Sequence, residues 1–241
     1  MFDNSRLRVR PFLGFMSLIF ALASVCAQAE LGADQTLIGS VPVIEEPLHK
    51  IQYRSDDFII YTNNIESGEW TEYHRHHNDL LAVLASDASI TGQELHSAKK
   101  DQNAPAGTVM YFPYAEKEVP YVHRLTAKGD SPFINVGLEF QRASGECTPE
   151  GSSWRVPGLE AVATNRRGRT YRLTLPAKSE VSLTGAKGAL LLVPLSEANL
   201  RAGESNWNTV VGDFRFFEFE QPRELKNLGT KPIALVVFEA C

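Results

Sequence analysis

The stretch GEWTEYHRHHND, Gly68 to Asp79, holds three of the chain's six histidines within four consecutive positions. In an extended strand, residues two apart share a face. His74 and His76 therefore project together, and the same alternation carried backwards puts Glu72 and Trp70 beside them. Two imidazoles at this spacing are a donor pair for a divalent metal. His77 points the other way, as a rim residue. A third donor must come from a later strand, and His123 is the candidate. His96 reads as part of a polar loop, and His49 lies ahead of the strands with no partner to name.

Outward from this stretch the pattern is strand, turn, strand. DDFIIYTNNI, NDLLAVLASDASIT, GTVMYFPYA and SPFINVGLEF in the first half, and RTYRLTLPA, GALLLVPLS, GDFRFFEFE and KPIALVVFEA in the second, are short runs rich in β-branched and aromatic residues. Gly, Pro, Asn, Asp and Lys bound them. No long amphipathic helix competes, so the expected class is all-β, a sandwich or barrel. The halves also repeat weakly. Gly107 with its aromatic strand, Pro120-x-x-His123, a glycine turn and a closing apolar strand correspond to Gly212, Pro222-x-x-Leu225 and the terminal strand. The segment 142–158, with Gly145, Pro149, Gly151 and Pro157, reads as the linker between two related modules, 30–141 and 159–241. All six histidines lie at or before His123. Only the first module is expected to carry imidazole chemistry, and the second to pack, cover or dimerise.

These residues resemble a family. Gly68, five residues, then His74-x-His76 is similar to the first motif of the cupin superfamily, and Gly107 followed by FPYAEKEVPYVH is similar to the second. EYHRHHNDLLAVL resembles a cupin variant with His-Arg-His, two residues, then Asp. The resemblance implies double-stranded β-helix (jelly-roll) barrels in tandem, a bicupin with a degenerate second module. It assigns His74, His76 and His123 to one divalent transition metal: Fe, Mn, Cu, Ni or Zn. The family's glutamate is replaced by Leu80 or Leu81. The site is then either a three-histidine centre, as in some cupin oxygenases, or one in which Asp79 supplies the carboxylate through a turn. Pro113 falls near the proline of the second motif, but the glycine that usually follows it is missing.

The ends and composition set the context. Arg6, Arg8 and Arg10 lead into the apolar stretch FLGFMSLIFALASV and then Ala27-Gln28-Ala29. This is the layout of a secretory signal peptide, with an apolar core shorter than the ~20 residues that span a bilayer. The expectation is a periplasmic or secreted protein cleaved after Ala29, with no membrane attachment afterwards. Removing three arginines and Asp3 from 24 basic and 29 acidic residues leaves 21 against 28, a net charge of −7. Such a balance disfavours nucleic acid and anionic lipid as partners. Of the three cysteines, Cys26 leaves with the signal. Cys147 and Cys241 either close one disulfide or stay as thiols, and spacing alone does not decide.

Three neutral imidazoles leave open positions on an octahedral ion for a chelating small molecule and for dioxygen or water. Imidazole ligation alone does not select the metal. With redox iron the expected reaction is oxygenation. With zinc or manganese it is Lewis-acid lyase or isomerase work. Glu72 is the candidate general base, and Trp70, Tyr111 and Tyr121 are the candidate pocket walls. The competing reading is a non-catalytic periplasmic module that binds a metal or small ligand. The basic run NRRGRTYR reads as a solvated loop, and neither a P-loop nor a G-x-S-x-G elbow is present.

Overall fold

Alternation of inward and outward side chains turns the predicted runs into strands along nearly the whole chain. The computed structural model describes residues 39–142, 156–184, 186–218 and 224–241. The expected signal segment and most of the expected linker, Cys147 included, lie outside the described residues. Ten strands precede that gap: β1 (Val41–Pro42), β2 (His49–Arg54), β3 (Phe58–Ile65), β4 (His74–His76), β5 (Leu80–Leu84), β6 (Ala88–Glu94), β7 (Lys100–Ala104), β8 (Val109–Phe112), β9 (Tyr121–Ala127) and β10 (Phe133–Phe140). Nine follow: β11 (Leu159–Asn165), β12 (Gly168–Leu175), β13 (Glu180–Ser182), β14 (Leu190–Pro194), β15 (Ala198–Ala202), β16 (Ser205–Thr209), β17 (Arg215–Phe217), β18 (Glu224–Asn227) and β19 (Ile233–Ala240). The helical content among the described residues is two short 3-10 turns, Val43–Glu45 and Tyr114–Glu116, and no helix among these residues is long and apolar enough to cross a membrane.

The two halves share one topology. The first forms sheets in the order β1-β4-β9-β6-β7 and β2-β3-β10-β5-β8, the second β13-β18-β15-β16 and β11-β12-β19-β14-β17. Shifting each label by nine maps one half onto the other, except that β1 has no counterpart. Even the irregularity is repeated: a register shift between Ile51 and Tyr53 in β2, and another between Ala161 and Ala163 in β11. The weak sequence repeat thus reflects two copies of one barrel.

Sheet β2-β3-β10-β5-β8 of the first barrel stacks on sheet β11-β12-β19-β14-β17 of the second. Phe58 and Ile60 of β3, Leu81 and Val83 of β5 and Val136, Leu138 and Phe140 of β10 form one apolar cluster with Leu191, Val193, Val236 and Phe238 of the second half. The other face of the same strands lines the first barrel, so β5 and β10 are buried on both sides, and β5 reads as a continuous apolar run. In β10 the alternation sends Phe133, Asn135, Gly137 and Glu139 inward, and Ile134, Val136, Leu138 and Phe140 to the interface. The second barrel encloses its own core, including Leu173, Leu190, Leu200, Trp207 and Leu225. Cys241, just after β19, is disulfide-bonded.

Candidate metal centre

Strands β4 and β9 run antiparallel with His74 directly opposite His123 and His76 opposite Tyr121. The His-x-His alternation supplies two imidazoles and the cross-strand register the third. One ring nitrogen from each of His74, His76 and His123 lies within 4.8 Å of the other two. The rings of His74 and His123 are 4.5 Å apart, centre to centre.

The Nδ1 atoms of His74 and His76 are tied down from outside. His74 Nδ1 lies 2.9 Å from the Glu72 carbonyl oxygen, which can only accept, so Nδ1 carries the proton and Nε2 is left bare. His76 Nδ1 lies 2.9 Å from Glu139 Oε1. The Nε2 atoms of His76 and His123 approach to 3.1 Å. Outer hydrogen bonds such as those at the two Nδ1 atoms fix the tautomer and orientation of a ligating imidazole. Burial first, and the neighbouring imidazoles second, keep the rings neutral: His74 and His76 are lowered to about 3 and His123 well below its ordinary value. Burial also pushes the Glu139 carboxyl up to about 8. A cation at the cluster favours its ionised form. Neutral, pre-oriented nitrogens with converging lone pairs fit a divalent transition metal.

The cluster opens into a cavity of about 150 Å³. Its walls include Leu80, Phe112, Tyr114 and Tyr121. Tyr114 stacks on Tyr121 at 4.8 Å and on Phe112 at 5.3 Å, and Tyr121 donates to Glu94 at 3.1 Å. Leu80 occupies the inward position expected of the family's glutamate, whereas Leu81 faces the second barrel.

Several candidate residues stand elsewhere. Asp79 does not join the histidines. It is fully buried and accepts from Arg167 Nε at 2.6 Å, Arg166 Nη2 at 2.6 Å, Tyr111 Oη at 2.9 Å and the Ala115 amide at 3.0 Å. Burial alone would raise its pKa, but the two guanidinium groups outweigh this and hold it below the usual value. Tyr111 is therefore part of this clasp and not a cavity wall, because in β8 it is Met110 and Phe112 that face inward. Glu72 is exposed and contributes only its backbone: the carbonyl accepts from His74, and the N–H donates to Glu46 at 3.2 Å. Trp70 lies under Lys99 and Arg124, 4.6 and 4.7 Å from its ring centre. Strand β4 begins only at His74, so the alternation does not reach back to Glu72 and Trp70. Tyr121 does line the cavity, and His77 is exposed. Arg166 and Arg167, expected in a solvated loop, instead cross to the first barrel, presented by a turn in which Asn165 Oδ1 accepts from the Arg167 and Gly168 amides at 2.8 and 3.1 Å.

Four residues at the site were not singled out from sequence. Glu139 is one. His49 stacks on Tyr61 at 4.6 Å and meets the edge of His74 at 4.6 Å, held by the Val43 carbonyl at 3.0 Å. Asn63 and Asn135 line the same cavity. The only sequence signal for Asn63, Asn135 and Glu139 is inward parity on their strands.

The second barrel shows what the site becomes without histidines. Val181 pairs with Leu225 across β13 and β18, the register that His74 and His123 hold. Leu183, two residues on, takes the place of His76. All three pack in the core of that barrel.

No protein-family model matches the sequence, and no curated protein matches it. Solved structures do resemble the fold. AerE from Microcystis aeruginosa superposes with a TM-score of 0.56 at 10% identity, covering 84% of this chain and 98% of that one. Salicylate 1,2-dioxygenase from Pseudoaminobacter salicylatoxidans, as a G106A mutant in complex with gentisate, gives 0.55 at 12% identity, covering 89% and 79%. A cupin 2 conserved barrel domain protein from Leptotrichia buccalis gives 0.48 at 10% identity. Two equivalent barrels, with three histidines clustered in the first, give the chain the tandem-barrel fold that AerE and the salicylate 1,2-dioxygenase share with it.

Proposed function

We propose that the protein is an exported, mononuclear metal-dependent cupin of the oxygenase type, acting on a small chelating organic molecule. The observation that carries this reading is the convergence of three neutral imidazole nitrogens, without a carboxylate among them, on a cavity of small-molecule size. The likeness in fold to a dioxygenase in complex with gentisate supports the choice of chemistry. When bound, a divalent transition metal supplies Lewis acidity and, if redox-active, electrons for reaction with dioxygen. The chain's own part is to hold and exclude. Glu139 and the Glu72 carbonyl fix the ring orientations. Tyr114 and Tyr121 wall the cavity and limit water, and Leu80 keeps the position of a fourth ligand free.

The test is elemental analysis of the mature protein, purified without an affinity tag, beside His74→Ala/His76→Ala and His77→Ala. About one metal per chain, lost in the first variant and retained in the second, is the expected result. Oxygen uptake with salicylate or gentisate then separates an oxygenase from a Lewis-acid enzyme. Stoichiometric metal without turnover of any chelating acid would favour the binding module. Mass measurement of the exported chain tests cleavage after Ala29.

A further inference from the structure

Asn63 and Asn135 stand directly opposite each other across β3 and β10, on the sheet that faces the histidine-bearing one. They are 3% and 6% exposed. Each side-chain oxygen is buried without a hydrogen-bond partner, and both residues line the cavity. A buried amide left unpaired costs about 1–3 kcal/mol, and strand interiors disfavour Asn in any case. Two such residues in register, both buried and both with an unpaired oxygen, are poorly explained by packing.

Their position relative to the metal site is defined by the strands. On β10 the inward residues run Glu139, which holds His76, then Gly137, then Asn135. Asn135 is thus about 13 Å along the strand from Glu139, at ~3.3 Å per residue. On β2 and β3, His49 pairs with Asn63, and His49 touches His74. Asn63 thus neighbours His49 across the sheet, and His49 in turn meets His74 on one side and stacks on Tyr61 on the other.

We infer that Asn63 and Asn135 form a second anchor for the ligand, receiving a hydroxyl at its end remote from the histidines. The inference deepens the metal-site reading and rests on it for the ligand's other end. The chemistry selects the group. A carboxylate offers only acceptors and would leave the amide oxygens unpaired. An ammonium would be buried with no carboxylate against the amides, at a large desolvation cost. A hydroxyl both donates and accepts, and so serves an amide in either orientation. A cavity near 150 Å³ admits about one six-membered ring. The ligand class is a single-ring or similarly compact acid with a chelating end and a distal hydroxyl.

The experiment is calorimetric titration of the metal-loaded, full-length mature protein with matched probes: 3-hydroxybenzoate against 3-methylbenzoate, and the 4-substituted pair. Methyl and hydroxyl are close in size and differ in hydrogen bonding. The expected result is about tenfold tighter binding of the hydroxyl member in at least one pair. Asn63→Leu and Asn135→Leu should each erase the preference while leaving metal stoichiometry intact, with the alanine variants used if leucine crowds the cavity. Equal affinity for both members, no binding of either, or a preference that survives both substitutions overturns the inference, the first being what a buried water on the amides would give. Titration of metal-free protein is run beside it. Loss of the metal reading alone leaves the hydroxyl preference measurable there, whereas metal bound without preference removes only the amide anchor.

Discussion

Arg167 of the second barrel donates from Nε to the Asp79 carboxylate of the first at 2.6 Å, in a position where Asp79 is fully buried and the Arg167 side chain is 8% exposed. The residue two places after the HRHH run thus ties the barrels together, and the Ala115 amide links it to the turn that carries Tyr114 into the cavity wall.

Breaking one side of a buried ion pair leaves an uncompensated charge and costs about 3–5 kcal/mol. Asp79→Ala is expected to lose stability of that order in urea unfolding, with metal content unchanged. A loss of metal at unchanged stability would reverse the assignment.

The same pair sets a pH dependence. The folded-state pKa of Asp79 is depressed, so its contribution is fully present above the unfolded value of about 3.9 and is lost as pH falls through the folded value. The stability difference between wild type and Asp79→Asn should stay constant from pH 7 to about 5 and shrink below about 4, as read from urea midpoints.

Glu139 is the outer partner of His76. Replacing such a partner typically costs about 10–100-fold in metal affinity. Glu139→Ala should show that loss in a chelator competition, and Glu139→Gln, which keeps an acceptor, a smaller one. Equal affinity in all three would assign Glu139 to packing.

Gly137 lies beneath the Tyr61 ring, which a Cβ at 137 would overlap. Gly137→Ala should cost about 1–3 kcal/mol by overpacking, and Tyr61→Leu should recover part of it in a double-mutant cycle.

In the second barrel, Val181→His with Leu225→His should bind no additional metal. Each buried, unpartnered imidazole there should cost about 2 kcal/mol or more. Elemental analysis and thermal unfolding check both halves of this expectation.

How far the sequence could be read depended on the reach of each local rule. Period-two alternation placed His74 and His76 correctly because both lie within β4. It failed for Glu72 and Trp70 because the strand begins after them. Asp79 has the composition of a ligand, and its true partners are 87 and 88 residues away in another barrel, beyond any spacing rule. Glu139, 63 residues from His76, sits in an apolar run where a lone acid gives little sign of its role. The weak repeat was legible because both halves keep glycines and strand order. That Val181 and Leu183 stand in for the histidines required the β13–β18 register.

Strand β10 carries two messages on alternate letters. Odd positions from Phe133 to Glu139 belong to the cavity, and even positions from Ile134 to Phe140 belong to the contact between barrels. A single inserted or deleted residue would exchange them, driving Glu139 into an oily seam and leucine against His76. A substitution on the strand disturbs one of the two faces at one place, whereas a shift of register disturbs both along its whole length. Its parity therefore answers to two unrelated requirements at once, the cavity on one face and the contact between barrels on the other.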